Sequence, residues 1–221
     1  MAQLSVFEGG FTIDAVEAVV DLSAQCQALN GLGSLAAEQS RAIDAAAFYE
    51  QGLALARAAN NQRWEGGLLG NLGNVSHLLG DFDASRHHYE QALACARAIG
   101  DRHFEGNAQC NLGLLLLEMG HPDEALPHFE SALDLARSLG QVRLTGTVFC
   151  NLGLLNEMAG RVDAALELHA SAVQAAARQG DRRTEGSSVS TSDACWRGAA
   201  ASTRRASACR PARRCCSPST N

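Results

Sequence analysis

The tripeptide Asn-Leu-Gly occurs three times in this chain of 221 residues, at Asn71-Leu72-Gly73, Asn111-Leu112-Gly113 and Asn151-Leu152-Gly153. The spacing is forty residues each time, and Leu32-Gly33 lies one further period upstream. A fixed period of about 20–50 residues is typical of a stacked repeat solenoid, in which each unit contacts only its neighbours. The tripeptide therefore predicts a repeat protein.

Other positions keep the same step of forty residues. Glycine recurs at Gly80, Gly120 and Gly160. A ring recurs at Tyr49, Tyr89, Phe129 and His169. Glycine also closes each unit, at Gly66, Gly106, Gly146 and Gly186. Because these columns share one register, they define four units: 26–65, 66–105, 106–145 and 146–185.

Each unit predicts a hairpin of two helices, A and B. In the third unit, apolar residues recur at helical spacing over 112–119, and Gly120 then ends the helix as a left-handed cap. The turn at 121–124 starts helix B. We expect Gly113 to let the two helices approach closely and Phe129 to fill the gap between neighbouring hairpins. Helix A should cover about fourteen residues and helix B about seventeen.

This pattern resembles the tetratricopeptide repeat (TPR) family, in its longer form with an extended second helix, as in kinesin light chains. The resemblance covers about residues 26–186. It implies an all-α, right-handed superhelical solenoid of antiparallel helix-turn-helix repeats that acts in protein–protein interaction. The large aromatic residue that the family carries early in helix A is replaced here, by Leu29, Leu69, Gln109 and Phe149.

The same resemblance implies a site, because helix A lines the concave wall in this family. Asn71, Asn111 and Asn151 match the asparagine with which TPR proteins hold an extended peptide, whereas Gly31 stands there in the first unit. An amide suits this role because it both donates and accepts hydrogen bonds. The predicted neighbours in the groove are Asn74, His77, Leu114, Leu117, Leu154 and Glu157. The alternative is that asparagine bonds within the hairpin and stabilises the repeat.

Composition limits the other classes of function. The chain has no lysine, which excludes a Walker phosphate-binding loop and Schiff-base chemistry. No arrangement of Ser/His/Asp, Cys/His or metal-ligand spacing stands out, so we expect no enzyme activity, no cofactor and no metal. The sequence contains no window of about 18 uninterrupted apolar residues, so no membrane span is predicted. Its N-terminus carries no basic region, so no signal peptide is predicted. A cytoplasmic protein is therefore predicted.

Charge is distributed unevenly. Residues 187–221 hold six Arg and one Asp, a net charge of +5, so the total of −6 leaves −11 on residues 1–186. An acidic body should repel nucleic acid and favour a basic protein or peptide partner. The alternative is an ordinary solvated acidic surface. Self-association through an uncapped C-terminal repeat is a further expectation.

The N-terminal segment LSVFEGGFTIDAVEAV (residues 4–19) lacks the repeat pattern. It resembles a segment of STAND-class signalling ATPases, among them bacterial transcriptional activators, in which TPR-like sensor repeats follow. Asp14 and Glu17 also predict a capping box that starts a helix. Residues 1–25 are therefore expected to form an N-terminal capping helix or the remnant of an upstream domain.

Residues 187–221 break the periodicity and allow three interpretations: a disordered basic tail, a nucleic-acid-binding arm, or an out-of-frame translation. The genetic code favours the last. Cys195 followed by Trp196 must encode leucine in the shifted frame, and permitted codons spell Asn-Leu-Gly at 191–193. That position lies forty residues after the third tripeptide, which predicts a frameshifted fifth repeat.

The predicted function is a scaffold or adaptor that binds an extended peptide or partner segment on the concave TPR surface. The first alternative is the detached sensor part of a STAND-type ATPase transcriptional regulator, active in signal transduction and regulated assembly. The second is a decayed gene fragment. A phosphate-binding domain encoded upstream would favour the STAND alternative.

Overall fold

The computed structural model describes the backbone of residues 3–4 and 11–180 and the side chains of residues 22–175. Strands β1 (Gln3–Leu4) and β2 (Phe11–Thr12) pair antiparallel. The helices of the described part are α1 (Ile13–Glu38), α2 (Ala42–Ala58), α3 (Gln62–Leu78), α4 (Phe82–Ala98), α5 (Arg102–Glu118), α6 (Pro122–Ser138), α7 (Val142–Met158) and α8 (Val162–Gly180). The predicted all-α class is confirmed. The predicted fifth repeat and the side chains of the capping box lie outside the described residues.

The chain divides into two compact units, Met1–Leu144 and Thr145–Asn221. In the first unit, consecutive helices pack against each other from α1 to α6, and α3 also touches α1 and α5. This order is that of a helical repeat solenoid. In the second unit, Cys150 of α7 and Ala172 of α8 form a buried cluster beside Phe149. The repeat bounds and the right-handed superhelical course stay predictions.

Helices α2 to α7 are 17 residues long, and seven three-residue turns join the consecutive helices from α1 to α8. Each turn holds one residue with a positive φ: Ser40, Asn60, Gly80, Gly100, Gly120, Gly140 and Gly160. At the end of α3, the Gly80 N–H donates to the His77 carbonyl and the Asp81 N–H donates to the Ser76 carbonyl. This is a Schellman motif, which satisfies carbonyl groups that the helix end leaves free. The left-handed cap predicted at Gly120 has a φ of +82°.

The A helices begin four residues earlier than the sequence suggested, so Gly66 and Gly106 lie inside α3 and α5. The reason is the N-cap: the Asn61 side chain accepts a hydrogen bond from the Trp64 N–H, and Asp101 accepts one from the Phe104 N–H. A side-chain oxygen there replaces a missing helical partner and starts the helix. Helix A is therefore 17 residues long rather than about fourteen.

A ring on helix B fills the space that a glycine leaves on helix A of the same hairpin. A Cβ built on Gly73 would lie 2.5 Å from the Tyr89 ring, and one built on Gly113 would lie 2.8 Å from the Phe129 ring. The same contact joins two further pairs, Gly33 with Tyr49 and Gly153 with His169. Phe129 is fully buried, as expected, and its contact with Gly113 lies inside its own hairpin.

The ring that reaches the neighbouring hairpin comes instead from the first turn of helix A. Phe104 of α5 lies against Gly66 and Gly70 of α3, and a Cβ on Gly66 would lie 2.8 Å from that ring. One repeat earlier, the Trp64 indole of α3 donates a hydrogen bond to the Ser23 hydroxyl of α1 at 3.1 Å. In α3 and α5, the aromatic residue that seemed absent from helix A thus stands five residues earlier, as Trp64 and Phe104.

None of the helices within residues 13–180 is long and apolar enough to cross a membrane.

The contact between Gly113 and Phe129 is testable by Gly113→Ala. The added methyl group would overlap a buried ring, so the free energy of unfolding should fall by about 1–3 kcal/mol in urea titrations. Gly67→Ala in α3 is the matched control, because a Cβ there meets nothing within 4 Å. That variant should gain about 0.5–1 kcal/mol from helix propensity. A Gly113→Ala protein as stable as the control would contradict the close approach.

Candidate functional site

Polar side chains link each A helix of the first unit to the next one. We call them the A-helix face: Asn30, Asn71, Asn74, His77, Asn111 and Glu118. Bonds join α1 to α3 at Asn30–Asn71 and α3 to α5 at His77–Glu118. In each pair the partners are 41 residues apart in sequence. The A helices therefore run parallel, and their side chains meet across a shift of one residue.

The asparagine side chains bond to one another. The Asn71 amide donates to the Asn30 carbonyl oxygen at 2.8 Å. The Asn74 carbonyl oxygen accepts a short bond of 2.7 Å from the Tyr89 hydroxyl and a long one of 3.4 Å from the Asn111 amide. Among the described residues, no further partner is recorded for the side-chain carbonyls of Asn71 and Asn111 or for the amino group of Asn74. These half-buried amides thus keep bonding capacity.

His77 and Glu118 form the strongest electrostatic contact on this face. Their Nε2 and Oε2 atoms are 2.6 Å apart, and the bond to the carboxylate raises the pKa of His77 above its ordinary value despite partial burial. The His77 ring also lies beside the Phe82 ring, with centroids 5.8 Å apart. Glu118 remains 44% exposed, so solvent screens the pair.

The remaining predicted site residues are placed unequally. Leu114 and Leu154 are half-buried and Glu157 is exposed, as a groove requires. Asn151 is only 1% exposed and Leu117 only 2%, so neither can reach a ligand in this structure. The asparagine column was expected to lie open along its whole length. The side chain of Asn151 is buried, however, whereas those of Asn71 and Asn111 are half-buried.

In the second compact unit, Thr145–Asn221, Glu157 of α7 pairs with His169 of α8 across the hairpin. The His169 Nε2 atom lies 3.2 Å from a Glu157 oxygen, whereas the buried Nδ1 atom has no hydrogen-bond partner. The imidazole occupies the ring position against Gly153. An unsatisfied buried nitrogen costs stability. Histidine therefore fits this position less well than Tyr49, Tyr89 and Phe129 fit the equivalent positions of the other hairpins.

Two members of the A-helix face, and the Tyr89 hydroxyl that bonds to it, were missed in the sequence. Asn30 precedes Gly31, so a strict step of forty passes it by. The period of forty shows Tyr89 only as a member of the column of rings, and it gives no reason to single out Glu118. The signal that finds Asn30 and Glu118 is a partner at 41 residues, which follows from the shift between parallel A helices. In the part of the chain described, no group of three or more His, Cys, Asp or Glu side chains could hold a metal ion.

Comparison with known proteins identifies the family. Two tetratricopeptide repeat models match the chain, over residues 64–138 and 110–181. The chain belongs to the tetratricopeptide repeat family. No curated protein matches it. Neither model reaches the N-terminal segment 4–19, and its resemblance to STAND-class proteins stays a prediction.

Solved structures with the same fold include BtubC (BKLC) from P. vanneervenii, with a TM-score of 0.61 and 19% identity over 88% of this chain and 87% of that one. Aspartyl phosphate phosphatase F from Bacillus subtilis has a TM-score of 0.66 and 13% identity over 72% of this chain and 42% of that one. The Rap conjugation gene regulator of plasmid pLS20, solved in complex with the Phr* peptide, has a TM-score of 0.60 and 16% identity over 78% of this chain and 47% of that one. The chain spans less than half of the last two proteins. At these identities the likeness shows the fold.

The raised pKa of His77 gives the pair with Glu118 a testable pH dependence. A pKa higher in the folded state than in the unfolded state stabilises the fold at pH values below the unfolded pKa. This stabilisation is lost as the pH rises through the folded pKa. The difference in unfolding free energy between wild type and Glu118→Gln should therefore be larger at about pH 5.5 than at about pH 8, by less than about 1 kcal/mol. His88 and His128, whose pKa values burial lowers, cancel in this difference. Equal differences at both pH values would contradict the pairing.

The unsatisfied nitrogen of His169 leads to a second prediction. His169→Phe restores the ring of the third hairpin and removes the buried polar atom, so it should raise the unfolding free energy by about 1 kcal/mol. Tyr89→Phe is the control with the opposite sign, because it removes the hydroxyl bond to Asn74 and should cost about 0.5–1.5 kcal/mol. Denaturant titration of both proteins measures the two effects. Destabilisation by His169→Phe would show that the imidazole is well satisfied.

Proposed function

We propose that the chain is a protein-interaction scaffold that binds an extended peptide on the A-helix face. One observation carries the proposal: Asn71, Asn74 and Asn111 each use part of their amide on a neighbouring side chain and keep the rest unbonded. Unbonded donors and acceptors on a half-buried surface are the groups with which a protein takes up a peptide backbone. Membership in the TPR family supports a non-enzymatic interaction role.

The spacing of the helices suits an extended ligand. Neighbouring packed helices are about 8–10 Å apart. An extended peptide rises about 3.3 Å per residue, so adjacent A helices meet backbone groups about three residues apart. Asn71 or Asn74 of α3 and Asn111 of α5 could then bond to one strand of peptide at that interval. Asn151 contributes nothing while its side chain is covered.

The charge of the ligand follows from the chain around the face. Residues 1–186 carry a net charge of −11, and the A-helix face holds Glu118 and no arginine. A peptide with basic side chains would be attracted at low ionic strength. The pair between His77 and Glu118 bounds the same face and would meet such side chains. Nucleic acid is disfavoured for the same reason.

The comparisons support the peptide proposal only through the fold. The Rap regulator of plasmid pLS20, which shares that fold, was solved in complex with the Phr* peptide. A cytoplasmic location is part of the same proposal. The STAND alternative has no specific observation in its favour, because the segment on which it depends lies entirely outside the described side chains.

Asn111→Ala tests the proposed site. A peptide first selected from a random library on the wild-type protein serves as the probe. Each bond exchanged with water contributes about 0.5–1.5 kcal/mol, so the variant should bind it up to about tenfold more weakly in calorimetric titration. Its melting temperature should change little, because the bond from Asn111 to Asn74 is long.

Gln91→Ala provides the matched control, since it removes an amide from α4, a B helix of the same compact unit Met1–Leu144. Its affinity for the peptide should equal that of wild type. A variant at Asn111 that loses more than about 1 kcal/mol of stability while its affinity is intact would assign the asparagines to repeat stability alone.

A further inference from the structure

Two leucines of α1 are exposed at positions that are buried in the later A helices. Leu32 and Leu35 are 47% and 51% exposed. Forty residues later, Leu72 and Val75 are 3% and 2% exposed, and a further forty later the exposure is as low. We call Leu32 and Leu35, one turn apart on α1, the α1 stripe. Two exposed leucines one turn apart, at positions that are buried in α3 and α5, indicate a surface that another apolar surface can cover.

The internal repeats show what covers this stripe. A Cβ built on Gly52 of α2 would lie 3.1 Å from Leu68 of α3, so helix B of one hairpin packs on the next A helix. Leu53 of α2 also shares one buried apolar cluster with Leu72 and Val75 of α3. In the internal repeats, the positions equivalent to the α1 stripe are therefore buried by the apolar side of a B helix, which carries Leu53 or its equivalent Leu93.

One described B helix presents that residue to solvent. Leu53 and Leu93 are 8% and 7% exposed, whereas Val173, at the same position of α8, is 43% exposed. The chain thus exposes both halves of its own repeat interface, one on α1 and one on α8. The two halves are complementary, because residues at the same positions, Leu53 with Leu72 and Val75, belong to one buried cluster in the first compact unit.

We propose that two copies of this chain associate head to tail, with Val173 of one molecule packed on the α1 stripe of the other. Such a contact is heterologous, so it leaves one free half at each end and adds further copies as the concentration rises. The surface is separate from the A-helix face. Assembly and peptide binding can therefore fail independently.

The experiment is sedimentation of the full chain from micromolar to millimolar concentration. Wild type should form dimers and longer species. The double variant Leu32→Glu with Leu35→Glu, and the single variant Val173→Glu, should each weaken association by at least about tenfold, because a buried charge replaces an apolar contact. Leu126→Glu and Val162→Glu are the controls. Both residues are exposed elsewhere on the B helices and should associate like wild type.

Mixing the two variants decides the geometry. The double variant keeps an intact α8 and Val173→Glu keeps an intact α1 stripe, so an equal mixture should form a dimer that grows no further. A wild-type protein that stays monomeric at every concentration would overturn the proposal. Loss of association in the α1 double variant alone would overturn it too, in favour of a symmetric contact between two α1 stripes. Equal loss in the controls would assign the association to general surface hydrophobicity.

Discussion

A ring on helix B can lie against helix A only because helix A has no side chain at that point. A Cβ on Gly73 or Gly113 would overlap the ring of the same hairpin, so glycine sets how closely the two helices approach. Rigid rings and closely packed backbones tolerate little adjustment. In its first two copies, the tripeptide Asn-Leu-Gly thus combines a buried leucine, the glycine contact and, beside them, a half-buried amide.

The same contact positions the candidate site. Because the Tyr89 ring lies on Gly73, its hydroxyl reaches across helix A to the Asn74 side chain at 2.7 Å. Burial raises the pKa of Tyr89, so this hydroxyl stays a donor. The amide that would face the proposed peptide is therefore oriented from the core. In the second unit, His169 takes the ring position and bonds to Glu157, so the core contact is kept while the polar group it presents changes.

The period of the sequence was enough to predict the helical hairpins, the TPR family and the cap at Gly120, because these depend on local chemistry that repeats. Side-chain environments were less predictable. Alignment by columns assumes that equivalent residues have equivalent surroundings, yet Leu117 is buried where His77 is half-exposed. Asn30 was missed because the shift between parallel helices, and not the period, decides which side chains meet. That shift is a property of packing, and no single unit encodes it.

The bonds of the A-helix face have two roles at once. Asn71–Asn30 and His77–Glu118 join neighbouring hairpins, and the stability of a repeat array is approximately the sum of its units and their nearest-neighbour contacts. A ligand that bonds to both Asn74 of α3 and Asn111 of α5 would add to the same junction where the direct bond is long. Binding to the folded state alone raises stability by linkage. Under the proposed function, the long bond between these two asparagines is what would leave room for the peptide, whereas a short one would close the junction to it.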